Sequence, residues 1–403
     1  MLFALLLLVA FVIYYHGINR ILGLPPGPPP LPIIGNMLSF DWDIDKVFLD
    51  WKARYGTVFT VWLPNPMVVI GDHKVLQEHV VKNANVYLAK RNPDQLLKMW
   101  FGGSYGLGFQ ANDMVKEQRK FALKTLHEIG FNTPALEDTV HNFALEVVSR
   151  WRNSVAEVDV TENIAKSIGN VVWKLIFGID LDFDNEIVLK FRQMQQEFLP
   201  MVGGPLMMAF ETFPIIRRFD FLLGNHFARL QTMLDDANLM VEDGIKIAKK
   251  SFNPDNQPAC YVDAFQQEVN RLEDAGKPNG NFHSKQLLAS ASALWGAGFD
   301  TTVNTLRLCL LELVNHPDVQ RKLQKEIDDV IGGRRIRFDD QKLLPYTCAF
   351  VQETKYNPGY PIAEGTTVLP QFSMIHSDPK EFERPEYFCP ERHIDSEGRF
   401  VKV

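Results

Sequence analysis

An aspartate followed by a threonine, Asp300 and Thr301 in the segment AGFDTT, is the chain's clearest candidate for chemistry. A carboxylate beside a hydroxyl can pass protons from solvent to a bound oxygen species. Gly298 lets a flat ligand come close to the helix backbone, and a threonine hydroxyl can bond a preceding carbonyl and bend the helix. The alternative is a kinked core helix whose aspartate is satisfied by a neighbour. The six residues alone leave both interpretations open.

The element that must position these residues is a long apolar run from Ser284 to Asn315. A helix of that length is about 45 Å long and crosses a whole domain. Ser284 is a suitable N-cap, and Pro317 pushes the residue before it out of helical geometry. Because the run has almost no polar face, Asp300 is costly to bury without a hydrogen-bonding partner. The sequence therefore predicts a central helix.

Composition indicates a globular protein that does not bind nucleic acid. The chain has 403 residues, of which 46% are hydrophobic and 23% charged, and its formal net charge is −7. No cluster of lysine and arginine interleaved with aromatic residues is present. The four cysteines, Cys260, Cys309, Cys348 and Cys389, lack zinc-binding or redox spacing, so we expect a reduced, cytosol-facing body and no metal site built from them.

The N-terminal residues favour a membrane anchor, with a signal peptide as the alternative. No charged side chain precedes Arg20, and no small-residue cleavage site follows the apolar stretch. We assign 1–19 to the anchor and 20–36 to a stiff proline-rich hinge. The positive-inside rule then places the body, 37–403, in the cytosol.

The body is predicted to be mainly α-helical with a small β region. Strands are expected at 57–63 and 67–70, and 365–372 is β-prone. Helices are expected at 46–55, 75–81, 115–126, 136–155, 162–177, 186–199, 225–250, 262–275, 284–315, 317–331 and 344–356.

Three stretches suggest binding surfaces, each with a structural alternative. Residues 92–110, which include Trp100 and Phe101, mix aromatic residues with glycines. This mixture is typical of a mobile lid over an apolar pocket, and a plain surface loop is the alternative. Residues 199–215 are rich in Met and Phe, which suits a pocket wall, a membrane-dipping edge or core packing. The basic helix carrying Arg119 could bind an acidic cofactor group or an acidic partner, or simply face solvent.

Taken in order, the motifs resemble one family, the microsomal cytochrome P450 haem-thiolate monooxygenases of the animal drug- and lipid-oxidising branch. The resemblance spans nearly the whole chain. Its motifs are the anchor, the hinge ending in PIIGN, the AGFDTT helix, the His316–Pro317 pair, Glu353 in its own helix, and Phe388–Cys389–Pro390–Glu391–Arg392.

The resemblance implies a cytochrome P450-like fold on the cytosolic side of the endoplasmic reticulum membrane, with haem b as cofactor. It implies oxidation of small lipophilic substrates (xenobiotic, fatty acid or steroid-like) with O2 and electrons from NADPH–cytochrome reductase, and cytochrome b5 as a second donor. The resemblance implies that Asp300 and Thr301 deliver protons. It implies that Ala297, Gly298 and Thr301 contact haem and that Arg119 pairs with a haem propionate. It further implies a buried network of Glu353 and Arg392, and substrate contacts by Trp100, Phe101 and Phe299.

Four departures from the family pattern bear on catalysis. The Glu-x-x-Arg motif reads Glu353-Thr354-Lys355-Tyr356, and the hairpin that should follow it is missing. Val115 stands where the family has a tryptophan that binds a propionate. The cysteine loop that would supply the axial thiolate is also absent, and Cys389 is the nearest substitute. We therefore expect a C-terminally incomplete fold, and the alternative function is an inactive product that binds haem weakly or not at all.

Overall fold

The computed structural model describes most of the body and short parts of the N-terminal region. The described residues are 5–12, 14, 23–31, 34–39, 44–63, 65–82, 94–108, 113–130, 133–154, 158–354, 367–370, 374–375, 378–382, 384–385 and 387–401.

Most of the segment predicted as a membrane anchor, 1–19, lies outside the described residues, although 5–12 are helical. Within the described ranges, no helix combines the length and apolar character needed to cross a membrane. Lys355 and Tyr356 of the altered motif also lie outside the description.

Helices dominate the described residues, as the sequence predicts. In chain order the helices and strands are α1 Ile44–Tyr55, β1 Val58–Leu63, β2 Asn65–Ile70, α2 His73–Leu76, α3 Asp94–Phe101, α4 Asp113–Ile129, α5 Pro134–Asn153, α6 Val160–Phe177, α7 Ile187–Gly203, α8 Pro205–Thr212, α9 His226–Ser251, α10 Tyr261–Asp274, α11 Ser284–Asn315, α12 Pro317–Val330, α13 Pro345–Glu353 and β3 Thr367–Pro370. A π-helical turn covers Gln77–Val81, and 3₁₀ turns cover Met37–Ser39, Pro214–Leu223, Phe338–Leu343 and Pro390–His393.

The three described strands form one mixed sheet in the order β1-β2-β3. β1 pairs antiparallel with β2, from Val58 opposite Ile70 to Leu63 opposite Asn65. β3 pairs parallel with β2, with Met67 opposite Thr367. Almost the whole of β1 is buried, because the apolar residues of both its faces are covered. The predicted small β region is therefore confirmed.

The chain divides into two compact units. The first consists of Met1–Arg91, Pro205–Pro214 and Lys355–Phe388, and the second of Asn92–Gly204, Ile215–Thr354 and Cys389–Val403. The core of the first unit packs α1 against the sheet through Phe48, Trp51 and Phe59, whose rings meet edge-on or tilted at centroid distances of 5.9–6.3 Å.

The core of the second unit lies along α11. This helix packs most extensively against α6, and α7, α9 and α10 add side chains to the same core. At its centre the Trp295 ring stacks on Phe191, with centroids 3.6 Å apart, and meets Trp173 edge-on at 4.9 Å. The long apolar run thus forms the predicted central helix.

The ends of α11 agree with the sequence prediction within one residue. Ser284, predicted as the N-cap, is instead the first helical residue, and His283 is the cap because its Nδ1 accepts from the backbone N–H of Gln286. At the other end the helix stops at Asn315, and Pro317 begins α12. An imidazole nitrogen can accept from an exposed helix N–H as a Ser hydroxyl does, which the usual cap preferences do not anticipate.

The described part of the proline-rich hinge lies against β1. The backbone N–H of Thr60 donates to Pro26 O, and its hydroxyl donates to Pro25 O. Asn36, which is 3% exposed, accepts from the Trp62 N–H through Oδ1 at 2.9 Å and donates to Pro29 O at 3.1 Å. These bonds fix the hinge to the sheet, which is a local role that its proline content alone did not indicate.

Asn36→Ala is expected to loosen this attachment. The change removes the Asn36 acceptor of the buried Trp62 N–H, a cost of about 1–3 kcal/mol. Amide exchange at Trp62 should accelerate by roughly ten- to a hundredfold. Ser39→Ala removes a nearby exposed hydroxyl and should leave the exchange unchanged. Equal exchange rates in the two variants would show that the Asn36 side chain does not hold the hinge.

Candidate functional site

The Asp300–Thr301 pair lies in the middle of α11, where the helix changes from buried to exposed. Asp300 is half-buried, and one of its carboxylate oxygens, Oδ2, accepts from Asn304 Nδ2 at 2.9 Å. This bond is the partner that the sequence required for an aspartate in an apolar helix. The hydroxyl of Thr301 donates to Ala297 O at 2.6 Å, and that of Thr302 donates to Gly298 O at 2.8 Å.

One face of α11 beside this pair is exposed among the residues that the structure describes. Ala297 and Thr301 are exposed, and Leu308, on the same side of the helix, is 44% exposed. A methyl group added at Gly298 would meet Val172 at 3.5 Å, an ordinary contact. The missing Cβ of Gly298 therefore faces α6, where a methyl group would also fit. The structure thus brings Ala297, Gly298, Asp300 and Thr301 together on one stretch of helix.

Arg119 lies on the exposed side of α4. The described residues offer no partner to its guanidinium, so this group is available to a carboxylate of a ligand. Val115, at the position of the tryptophan expected from the resemblance, is 3% exposed and belongs to the protein interior.

Glu353 and Arg392 are in contact, as the resemblance implied. Arg392 Nε lies 3.1 Å from Glu353 Oε1, and the two side chains are 13% and 11% exposed. Sequence reasoning missed two further partners of this carboxylate. His393, 1% exposed, places Nε2 2.8 Å from Glu353 Oε2, and the backbone N–H of Cys389 donates to Oε1 at 3.0 Å. Four groups thus form one buried polar cluster at the end of α13.

Trp100 and Phe101 lie on α3, not in a loop. The helix is held to α9 by a reciprocal pair of bonds, in which Trp100 Nε1 donates to Asn238 Oδ1 at 3.1 Å and Asn238 Nδ2 donates to Trp100 O at 2.8 Å. Phe101 stacks on Trp100 with centroids 4.9 Å apart. Trp100 lines an apolar cavity in the second unit, and Phe101 is not among the residues that line it.

The loop after α3 is tied to the central helix by a glutamine that the sequence did not single out. Gln286, fully buried, accepts from the Gly106 N–H at 3.1 Å and donates to Gly106 O at 3.3 Å. Phe299, predicted to contact substrate, is also fully buried and lies against Phe191 in the core, with ring centroids 6.1 Å apart.

The comparison with protein families gives a match over nearly the whole chain. The family model described as cytochrome P450 matches residues 25–354 and 357–403. The chain belongs to the cytochrome P450 family. It is 32% identical over 434 residues to the probable cytochrome P450 CYP36A1 of Caenorhabditis elegans. The aligned region covers 100% of this chain and 86% of that relative. It is 30% identical over 405 residues to cytochrome P450 2M1 of Oncorhynchus mykiss, with 94% and 79% covered. It is 32% identical over 401 residues to cytochrome P450 2C41 of Canis lupus familiaris, with 94% and 80% covered.

Members of the cytochrome P450 family are haem-thiolate monooxygenases, and part of the site fits haem. The exposed face at Ala297 and Thr301 suits a flat ring, and the Arg119 guanidinium suits a propionate. These residues would hold the group.

The cysteines of the chain, all four of which are described, do not fit the axial position. Cys260 Sγ accepts from the backbone N–H of Asp263, and burial raises the pKa of this thiol to about 12. Cys309 is buried and lies 3.6 Å from Thr354 Oγ1. Burial also raises the pKa of Cys348. Cys260 and Cys309 are buried and Cys348 Sγ donates to Gln341 O at 3.5 Å, so none of these three sulfurs is presented as an iron ligand.

Cys389 is the fourth cysteine and the substitute considered from the sequence. Its Sγ lies 3.5 Å from Glu391 Oε2, and burial together with the Glu391 charge raises the pKa of the thiol. Its backbone N–H is already committed to Glu353. Cys389 therefore serves the Glu353 cluster through its backbone, and its sulfur is directed at Glu391.

Proposed function

We propose that the chain serves the oxidation of small lipophilic molecules (xenobiotic, fatty acid or steroid-like) by insertion of one oxygen atom from O2. The observation that supports this best is the stretch of α11 in which exposed Ala297 and Thr301 adjoin the half-buried Asp300. The rest of α11 is rich in apolar residues, both in the core and at the surface. A carboxylate beside a hydroxyl is therefore distinctive on this helix.

Haem, when bound, supplies the iron at which dioxygen is activated, and the chain's residues hold it and move protons. Arg119 would pair with a propionate, and Ala297 and Gly298 would lie against the ring. Thr301 Oγ1 now donates to Ala297 O, and rotation about χ1 redirects this donor away from the helix. Asp300, whose Oδ2 accepts from Asn304, can then take a proton from solvent and pass it to the Thr301 hydroxyl.

Electrons would come from NADPH–cytochrome reductase, with cytochrome b5 as a second donor. The exposed side of α4 supports this part of the proposal, because Lys116, Lys120 and Lys124 are exposed there. A row of cations steers the approach of an acidic partner protein.

The proposed location is the cytosolic side of the endoplasmic reticulum membrane. The apolar character of 1–19 supports it, as do Phe221 and Leu222 in the turn Pro214–Leu223, each 70% exposed. Large apolar side chains exposed together favour contact with a lipid surface.

The cysteine geometry favours a second candidate function for these 403 residues. Cys260 and Cys309 lie in the interior, and the sulfurs of Cys348 and Cys389 donate to Gln341 O and Glu391 Oε2, so the described residues do not present a sulfur to the iron. The chain would then bind apolar ligands or a partner protein without activating dioxygen.

One spectrum distinguishes the two candidates. The chain is expressed with haem supplied, purified, reduced with dithionite and exposed to carbon monoxide, and the absorption of the iron complex reports the axial ligand. From the cysteine geometry we expect haem without the red-shifted thiolate band, or no haem at all. A thiolate band that disappears in Cys389→Ser and persists in Cys348→Ser would instead assign the ligand to Cys389 and establish the monooxygenase function for these residues.

A further inference from the structure

Residues 102–108 follow α3 and lie against the first turns of α11, within the second unit. Four of these seven residues are glycines, and we call the segment the glycine loop. Gly106 is its one buried residue, and Leu107 packs partly against the core. The other members are exposed or half-buried. The loop is therefore attached to the interior mainly at Gly106.

One side chain of α11 bonds both backbone groups of Gly106. Gln286, which is fully buried, accepts from the Gly106 N–H through Oε1 at 3.1 Å. Its Nε2 donates to Gly106 O at 3.3 Å and to Ser290 Oγ at 3.0 Å. A side-chain amide carries a donor beside an acceptor, so it can take both bonds that a neighbouring β-strand would make. Gln286 thus pairs with the loop as a strand residue pairs with its partner.

The backbone of Gly106 explains why a glycine stands at this position. Its φ is 103°, in a region that residues with a side chain rarely adopt. A methyl group there would lie 3.5 Å from Ala289 O and 3.6 Å from Ala289 Cβ, which are ordinary contacts. The backbone angle, and not the available space, therefore requires glycine.

Tyr105 makes a second contact between the loop and the start of α11. The ring of His283 meets it edge-on with centroids 5.2 Å apart, and Lys285 Nζ lies 5.9 Å from its centroid. Lys285 is exposed, and a cation–π contact is weak where solvent reaches the cation. The buried bonds of Gln286 are therefore the stronger attachment.

Helix α3, which precedes the loop, is held independently of α11. Trp100 Nε1 donates to Asn238 Oδ1 at 3.1 Å, and Asn238 Nδ2 donates to Trp100 O at 2.8 Å, which binds α3 to α9. The loop begins at Gly102 and Gly103, where the backbone has the rotational freedom of glycine. The glycine loop can therefore move away from α11 while α3 stays on α9.

We infer that Gln286 is a positioning residue, whose amide fastens the glycine loop to α11, and that the loop opens as one local unit when these bonds break. Opening exposes Gln286 and Ala289, which are 0% and 1% exposed in the closed form. Docking of the loop thus controls how far water reaches the first turns of α11. The inference goes beyond the proposed function, because it requires neither haem nor turnover.

The test is hydrogen exchange of the full chain, measured by mass spectrometry in peptides from the glycine loop, α3 and α11. Gln286→Met keeps the length of the side chain and removes its donor and acceptor. We expect exchange in the loop to accelerate about ten- to a hundredfold, because water then satisfies the Gly106 backbone better than the interior does. Exchange in α3 and in the later turns of α11 should stay as in the unmodified chain.

Gln118→Met is the matched control. Gln118 is also fully buried, and it donates to Asn281 O at 3.2 Å, outside the glycine loop, so loop exchange should not change. Gly106→Ala disturbs the same attachment from the other side, because it strains a backbone with a φ of 103° and leaves Gln286 in place. It should accelerate exchange in the same loop peptides.

Unchanged loop exchange in Gln286→Met would overturn the inference. An equal acceleration in the loop, α3 and α11 would also overturn it, because it reports general unfolding and not a local opening. If Gln286→Met does not fold, the same comparison in Gly106→Ala decides. Exchange is measured without haem, so a Gln286-dependent loop in a chain that takes up no haem would support the inference while the proposed oxidation fails.

Discussion

Replacing Glu353 by alanine is expected to lower the free energy of unfolding of the second unit by about 3–5 kcal/mol. The Glu353 carboxylate, whose side chain is 11% exposed, forms an ion pair with Arg392, accepts from the backbone N–H of Cys389, and has His393 Nε2 at 2.8 Å from its Oε2. Its loss leaves a guanidinium that is 13% exposed without its counter-ion and an imidazole that is 1% exposed without its partner. A buried charge that loses its partner costs more than the original pair contributed.

Urea unfolding followed by circular dichroism measures this change, and a lower midpoint is the expected result. Glu128→Ala is the matched control, because Glu128 forms an exposed i,i+4 pair with Lys124 and should change stability by less than about 0.5 kcal/mol. Glu353→Gln keeps the size of the side chain and some of its hydrogen bonds, so an intermediate loss is expected. Equal midpoints for Glu353→Ala and Glu128→Ala would show that the cluster does not hold the end of α13.

The partners of Glu353 also show how far the sequence could lead. Glu353 and Arg392 were paired from the order of the family's motifs alone. The contribution of His393 was not, because its imidazole meets the carboxylate only once the chain has turned at Pro390–His393. The position of His393 directly after Arg392 was the available sequence signal. It indicates a partner of Glu353 only once the tertiary contact is known.

Helix and strand bounds were predictable where one pattern dominated. The apolar run with a proline stop predicted α11 within one residue, and alternation predicted β1 and β2. Helix α3 was missed because glycines and aromatics after Phe101 dominated the interpretation of 92–110, although 94–101 is rich in helix formers. The parallel pairing of β3 with β2 joins segments about 300 residues apart, and local sequence patterns do not specify such a partner.

The cavity and the glycine loop show a different limit. Trp100 was predicted beside an apolar pocket, and it lines one. Gln286 was overlooked because one polar residue near the start of an apolar helix forms no pattern. Only the coordinates reveal that its amide pairs with both backbone groups of Gly106.

Trp295→Ala is expected to remove about 3–5 kcal/mol of stability from the same unit. Trp295 is fully buried at the centre of the core, where it stacks on Phe191 at 3.6 Å and meets Trp173 edge-on at 4.9 Å. Deleting the ring removes the transfer energy of a large side chain and leaves a cavity between three helices that can close only partly.

Comparing Trp295→Phe with Trp295→Ala separates the contribution of ring packing from that of the indole N–H. The indole Nε1 of Trp295 has no hydrogen-bond partner among the described residues, so Trp295→Phe loses no bond and keeps an aromatic ring on Phe191. We therefore expect a clearly smaller loss for phenylalanine than for alanine in urea unfolding. Phe221→Ala, at a ring that is 70% exposed, should be nearly neutral. Equal losses for the two Trp295 variants would show that the ring stacked on Phe191 does not stabilise the core, because the phenylalanine variant keeps that ring.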